Sequence, residues 1–314
     1  MGETLRVPGA TLHHEVHGSG PTLLIIPGGP TDGGMFAGLG ALLADRYTVV
    51  TYDPRGLSQS TVDDPAAPVS PRLFADDAAA LIRAAGDDPA YVVGFSSGGL
   101  VGLELLAHHP SLVRRLVAHE PPATPLLEDA AEHRAEGLRV HETFLEQGVW
   151  AAMARFTSGA GLDDTATGPD PEDEAAGAGS DAPGPSEPAV SSASAATSAH
   201  AEPDGHAQPA ASPEVAEPSP EMADAMAGMQ RNMEFFLGNM WMPMLDHVPS
   251  LTTAPTGQLV IAVGERSTGQ LAHRAAEALA TRLDLPLTVF PGDHGFHGVE
   301  HQFATRLHEV LTAP

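Results

Sequence analysis

The sequence contains no cysteine and no lysine. Without thiols, disulfides, zinc–thiolate sites and cysteine nucleophiles are all excluded. That absence fits a reducing compartment, and a cytoplasmic location is the expectation. Without lysine, Schiff-base catalysis and a P-loop phosphate lysine are excluded as well. No run approaches the roughly eighteen consecutive apolar residues that a membrane span requires. Met1–Arg6 lacks the basic start and apolar stretch of a signal peptide. Positive charge is scarce throughout. Fifteen arginines face 41 acidic residues, for a net charge of −26. Nucleic acid and anionic membranes are therefore not the expected partners; a small-molecule substrate is. Oligomeric state leaves no mark in the sequence.

What is present is 314 residues, 42 % of them apolar, enough for one large domain or two small ones. Much of the acidity is local. Fourteen Asp or Glu and no Arg lie between Asp163 and Asp224, and the remainder carries −12. The surrounding stretch, 159–221, is rich in Ala, Pro, Gly, Ser, Glu and Asp. It has too little apolar surface to offset its ordering entropy, so it reads as a disordered insert.

Outside the insert, short apolar runs alternate with helical periodicity. Strands are expected at 4–7, 11–17, Thr22–Ile26, Tyr47–Tyr52, Tyr91–Val93, Arg115–Ala118, Gln258–Val263 and Leu287–Phe290. Helices are expected at Met35–Asp45, Phe74–Ala85, Leu100–His108, Leu271–Arg282 and Val299–Leu311. Such alternation implies an α/β fold with a mostly parallel, doubly wound sheet, its ligands at the carboxyl ends of the strands. From Ala123 the alternation stops, and 126–147, 149–158 and Met222–Met240 read as helices. The last carries a methionine stripe (Met222, Met226, Met229, Met233, Met240). At this spacing core packing is the commoner use, and an adaptable pocket wall is the other.

The chemistry centres on Gly94-Phe95-Ser96-Ser97-Gly98. A strand, a tight G-x-S-x-G turn and a helix form the context of a nucleophile elbow, in which Ser96 projects from a strained turn into a cleft. The plain alternative is a Gly/Ser-rich turn without chemistry. Thr22–Ile26 ends abruptly in Pro27-Gly28-Gly29-Pro30, which leaves backbone N–H groups available to a developing oxyanion. A serine hydroxyl needs a base within reach. Among sixteen histidines, position favours His294, just past the last strand at the same sheet edge as Ser96. His119, His297 and His301 are the rivals. The spacing from His294 to His297 to His301 is reminiscent of metal ligands but has no partner cluster. Neither a metal nor an organic cofactor is expected. Asp53 and Arg55 read as a structural turn pair.

Together these segments, with Tyr52-Asp53-Pro54-Arg55-Gly56 and Phe290-Pro291-Gly292-Asp293-His294, resemble the α/β-hydrolase superfamily in kind and order. The resemblance implies Ser96 as nucleophile, His294 as base, and the N–H groups of Gly29 and Ser97 as an oxyanion hole. It also implies a core of 1–122 and 257–314, with 123–256 as a helical cap inserted after the strand that follows the nucleophile helix. The third group departs from the usual pattern. Ser267 stands where an aspartate is common. Glu120, at the end of the preceding strand, is the favoured acid, with Glu265 as the alternative and Asp293 or no acid behind them. The expected activity is hydrolysis of a small carboxylic ester through an acyl-enzyme. A proline iminopeptidase-like aminopeptidase, a cofactor-free haloperoxidase and a non-catalytic binding protein on the same scaffold are the rivals.

Overall fold

The computed structural model describes residues 2–86, 89–162, 219–250 and 255–313. Of the expected disordered insert, 163–218 lies outside the described residues. Its flanks are helical: a helix runs to Ala160, and Ser219 caps the helix that begins at Pro220.

Nine strands form one sheet among the described residues: β1 (Glu3–Val7), β2 (Ala10–Gly18), β3 (Thr22–Ile26), β4 (Thr48–Tyr52), β5 (Thr61–Val62), β6 (Ala90–Phe95), β7 (Val113–His119), β8 (Leu259–Gly264) and β9 (Leu287–Phe290). The order is β1-β2-β4-β3-β6-β7-β8-β9, with the short β5, which the sequence did not announce, on β2. β2 runs antiparallel to β1, β4 and β5; the pairs from β4 through β9 are parallel.

The parallel strands are apolar on both sides because both faces are covered. Leu24, Val92, Leu116 and Ile261 face one core. Their neighbours Leu23, Val93, Val117 and Ala262 face the other. The first core is closed by α2 (Pro71–Ala85), α3 (Ser97–His108) and α8 (Leu271–Leu283). The second is closed by α1 (Ala37–Leu43) and α9 (Glu300–Thr312). Two helices start earlier than apolar spacing suggests, because N-terminal signals are polar. Ser70 accepts the Leu73 N–H at 3.2 Å ahead of Pro71, and α3 begins immediately after Ser96. The expected helix Met35–Asp45 is split into a 3₁₀ turn at Gly33–Phe36 and α1.

Between β7 and β8 the chain leaves the sheet for a helical cap: α4 (Ala130–Gln147), α5 (Val149–Ala160), α6 (Pro220–Phe235), a π turn at Phe236–Met240, and α7 (Trp241–Leu245). The single helix expected at Met222–Met240 is thus divided into α6 and a π turn and carried on into α7. Its methionines divide. Met233 and Met240 are core, while Met222, Met226 and Met229 are exposed. Asn232 anchors α6 to the body of the protein. It accepts the Ser58 N–H at 2.7 Å and donates to Ser58 Oγ at 2.8 Å. Among the described residues no helix is long and apolar enough to cross a membrane.

Sheet register determines where chemistry is possible. Ile26 pairs with Gly94, Phe95 with His119, His119 with Ala262, and Gly264 with Phe290. The strands end almost in line. The residues just beyond them, beginning with Pro27, Ser96, Glu120, Glu265 and Pro291, emerge at one edge.

Candidate active site

The turn from β6 into α3 is tight enough to exclude side chains. A Cβ on Gly94 would collide with the carbonyl of Gly98, and one on Gly98 with the carbonyls of Ile26 and Pro27. Between these glycines Ser96 adopts φ 50°, ψ −124°, a region that costs a non-glycine residue on the order of 1–3 kcal/mol. The turn is held from both sides. The Ser96 N–H donates to His119 O at 2.9 Å, and the Gly99 N–H to Ser96 O at 2.8 Å. Ser96 therefore stands at the mouth of α3, whose first-turn N–H groups have no carbonyl four residues back.

His294 lies on the loop between β9 and α9. Backbone bonds from Glu265 N–H to Phe290 O (3.0 Å) and Arg266 N–H to Gly292 O (2.9 Å) fasten that loop to the one after β8. Nδ1 of His294 is 2.6 Å from Glu120 Oε2. Glu120 is fully buried and also has positive φ, 48°. Its other oxygen, Oε1, accepts the Gly264 N–H at 2.9 Å and the hydroxyl of Ser267. Burial alone would raise the carboxyl of Glu120. The bond to His294, the nearby imidazoles and the Ser267 hydroxyl outweigh burial and hold the group below the usual carboxylate range. An ionised carboxylate can only accept, so in the neutral imidazole of His294 it favours the tautomer with the proton on Nδ1 and the lone pair on Nε2.

Ser267 thus supports the carboxylate that arrives from the preceding, adjacent strand β7. Its single proton goes to Glu120. His273 Nδ1, 2.9 Å from Ser267 Oγ, is therefore the donor in that contact. The sequence offered no signal for His273: its hydrogen-bond partner Ser267 is only six residues away, but the carboxylate that the pair supports, Glu120, comes from a remote strand.

Gly29, Ser96, Ser97 and His294 line one cavity between the sheet edge and the cap, with roughly 670 Å³ of free space partly open to solvent. The Gly29 N–H donates to Ser97 Oγ at 2.8 Å, so the Ser97 hydroxyl occupies that donor in the resting site. The cap wall is aromatic. Trp241 packs edge-on against Phe156 and Phe236, at centroid distances of 5.1 and 5.7 Å. Of the methionines, Met244 lines the cavity; it lies outside the stripe that the sequence singled out. No Arg, Asp or Glu lines the cavity among the described residues.

The other candidates lie elsewhere. Glu265 is exposed. Asp293 Oδ1 accepts the Gly295 N–H at 2.8 Å within its own turn. His119 is wholly buried against Phe95, Phe290 and Phe303. His297 and His301 are exposed, and no group of three or more His, Asp or Glu is arranged to hold a metal among the described residues. Asp53 and Arg55 do not pair with each other. Asp53 accepts the N–H groups of Gly33 and Gln59, and Arg55 forms a two-pronged ion pair with buried Asp77.

This architecture has many counterparts. A hydrolase from Pseudomonas aeruginosa PA01 superposes with a TM-score of 0.64 at 18 % identity, over 100 % of this chain and 98 % of that one. An α/β hydrolase from Sphaerobacter thermophilus gives a TM-score of 0.59 at 20 % identity, over 99 % and 100 %. At such identities the likeness establishes the fold. In sequence, the family model described as alpha/beta hydrolase fold matches residues 21–140. An uncharacterised hydrolase, YraK, of Bacillus subtilis (strain 168) is 41 % identical over 133 residues, 42 % of this chain and 49 % of that protein. A 2-(acetamidomethylene)succinate hydrolase of Mesorhizobium japonicum is 36 % identical over 121 residues, 38 % and 42 % of the two chains. The matches span about half or less of those curated relatives. The chain therefore has the α/β-hydrolase fold, and its residues 21–140 match the model of that family.

Proposed function

We propose that the protein is a serine hydrolase that cleaves a small, uncharged carboxylic ester through an acyl-enzyme intermediate. One observation carries this reading. Ser96, held at positive φ at the mouth of α3, shares a cavity with His294, whose tautomer is set by the buried Glu120 carboxylate. Ser96 Oγ attacks the carbonyl carbon while His294 Nε2 removes its proton. The backbone N–H groups of Gly29 and Ser97 donate to the oxyanion as the Ser97 hydroxyl turns aside. Collapse of the tetrahedral intermediate expels the alkoxide, which takes the proton back from His294. Water then enters, is deprotonated by the same imidazole, and releases the acid. Glu120 stays ionised and stabilises the imidazolium.

The lining of the cavity bears on the substrate. A free amino group, as an iminopeptidase must hold, needs carboxylates; a dicarboxylate such as a succinate needs cations. Neither kind of charge is among the described lining residues. Of the acidic cap residues, Glu136 is already paired with Arg139 and Arg155.

The test is Ser96→Ala with p-nitrophenyl butanoate, which should lower turnover by about 10⁴ or more. A fluorophosphonate probe should label wild type and not the variant. Near-full activity in the variant, or an unlabelled wild type, would overturn the proposal and favour a binding protein.

A further inference from the structure

The cavity is lined by a polar group that the proposed reaction does not use and that has no partner among the described residues. Gln270 lies between β8 and α8 and caps α8 through its backbone, with φ −64° and ψ 153°; its side chain makes no capping bond. The side chain turns toward the cap instead, with Cγ close to the α5 terminus at Gly161. Its amide oxygen is buried, has no hydrogen-bond partner among the described residues, and belongs to a residue that lines the cavity. Buried side-chain oxygens are nearly always paired, because an unpaired one forfeits its hydration without return.

Among the described residues nothing donates to that oxygen. Leu271, Ala272, Phe156 and Trp241 line the same cavity. The indole N–H of Trp241 is committed to Gly137 O at 2.8 Å, so it is not available to Gln270. Apart from Ser96, Ser97, His294 and Trp241, Thr124 and Gln270 are the only polar side chains in the described lining. A mainly apolar cavity with one or two placed polar groups selects its ligand by those groups.

We propose that Gln270 is a specificity-determining residue, whose amide oxygen accepts a hydrogen bond from an N–H or O–H on an otherwise apolar, uncharged ester. This rests on the hydrolase reading and names its substrate class: esters bearing a neutral donor, in preference to plain alkyl esters. A site built around such a bond rejects the analogue that lacks it, because the acceptor then stays buried and unpaired.

The experiment compares pairs of substrates that differ by one donor. On the acyl side these are p-nitrophenyl butanoate and its 3-hydroxybutanoate; on the alcohol side, butyl acetate and 4-hydroxybutyl acetate followed by pH-stat. Wild type should favour the donor-bearing member of at least one pair by about tenfold or more in kcat/KM. Gln270→Met keeps length and loses the acceptor, and should abolish that preference by lowering kcat/KM for the donor-bearing ester more than for the plain one. Gln270→Glu, which keeps an acceptor at the same place, should retain part of it. Hydrolysis of both members without discrimination, or equal losses on both in Gln270→Met, would overturn the assignment and leave the hydrolase reading intact. Hydrolysis of no ester would overturn both.

Discussion

Replacing Glu120 by glutamine exchanges one oxygen for an NH₂ in the buried network. The native carboxylate accepts three hydrogen bonds: from Gly264 N–H and Ser267 Oγ on one oxygen, and from His294 Nδ1 on the other. The substituted amide has one oxygen and one NH₂ to offer. Turning the NH₂ toward Gly264 sets two donors against each other, and the Gly264 N–H, fixed at a strand end, cannot rotate away. The NH₂ must therefore face His294. That forces Nδ1 to accept and moves the ring proton to Nε2, the nitrogen that has to take the proton of Ser96. Loss of an orienting carboxylate by this route costs about 10⁴ in turnover in serine proteases, or ~5 kcal/mol of transition-state stabilisation at 1.36 kcal/mol per decade. We expect Glu120→Gln to lower kcat on p-nitrophenyl butanoate by about 10³–10⁴ with KM little changed, because the substituted group does not line the cavity. Folding should be checked by near-ultraviolet circular dichroism and urea denaturation, since the network also stabilises the protein. Glu265→Gln, on an exposed side chain, is the matched control and should be silent. A folded Glu120→Gln enzyme within tenfold of wild type would refute the reasoning, as would a Glu265→Gln enzyme that lost activity instead.

Two more variants probe the same region. His119 is wholly buried among phenylalanines with neither ring nitrogen partnered among the described residues, and burial pushes its imidazole down to about 4. Between the unfolded value near 6.5 and about 4, the unfolded chain takes up a proton that the folded protein refuses, so stability falls with pH by about 3 kcal/mol in all. His119→Leu should remove that component, and its urea-derived stability should gain on wild type as pH drops from 7 to 4; parallel curves would refute this. Ser97→Ala frees the Gly29 N–H and leaves both proposed oxyanion donors in place, since they belong to the backbone. Its kcat should stay within a few-fold of wild type, and a hundredfold loss would mean that the hydroxyl itself holds the oxyanion.

Legibility in the sequence tracked the range of the physics. Strand positions, the elbow around Ser96 and the glycine break after β3 were visible because they depend on neighbours within a few residues. A β-branched run makes a strand, and a serine between glycines allows a turn that other residues would block. Element ends were less clear where polar caps rather than apolar spacing set them, as at Ser70. The π turn that joins α6 to α7 had no local signature. Nor did β5, whose two residues are strand only because β2 lies beside them.

Sequence by itself determined the fold class, the absence of thiol and lysine chemistry, and the small set of residues at strand ends from which a site could be built. Tertiary structure alone decided the rest. Sheet register brought Glu120 to His294 across 174 positions. Backbone direction left Glu265 facing outward. Packing of the cap over the sheet edge placed a Gln270 oxygen, without a partner among the described residues, in the lining of a mainly apolar cavity. The reason is one of distance. Local conformation is decided by sterics and hydrogen bonds between near neighbours, whereas a carboxylate's partner, or the lack of one, depends on which remote segments share the same few ångströms.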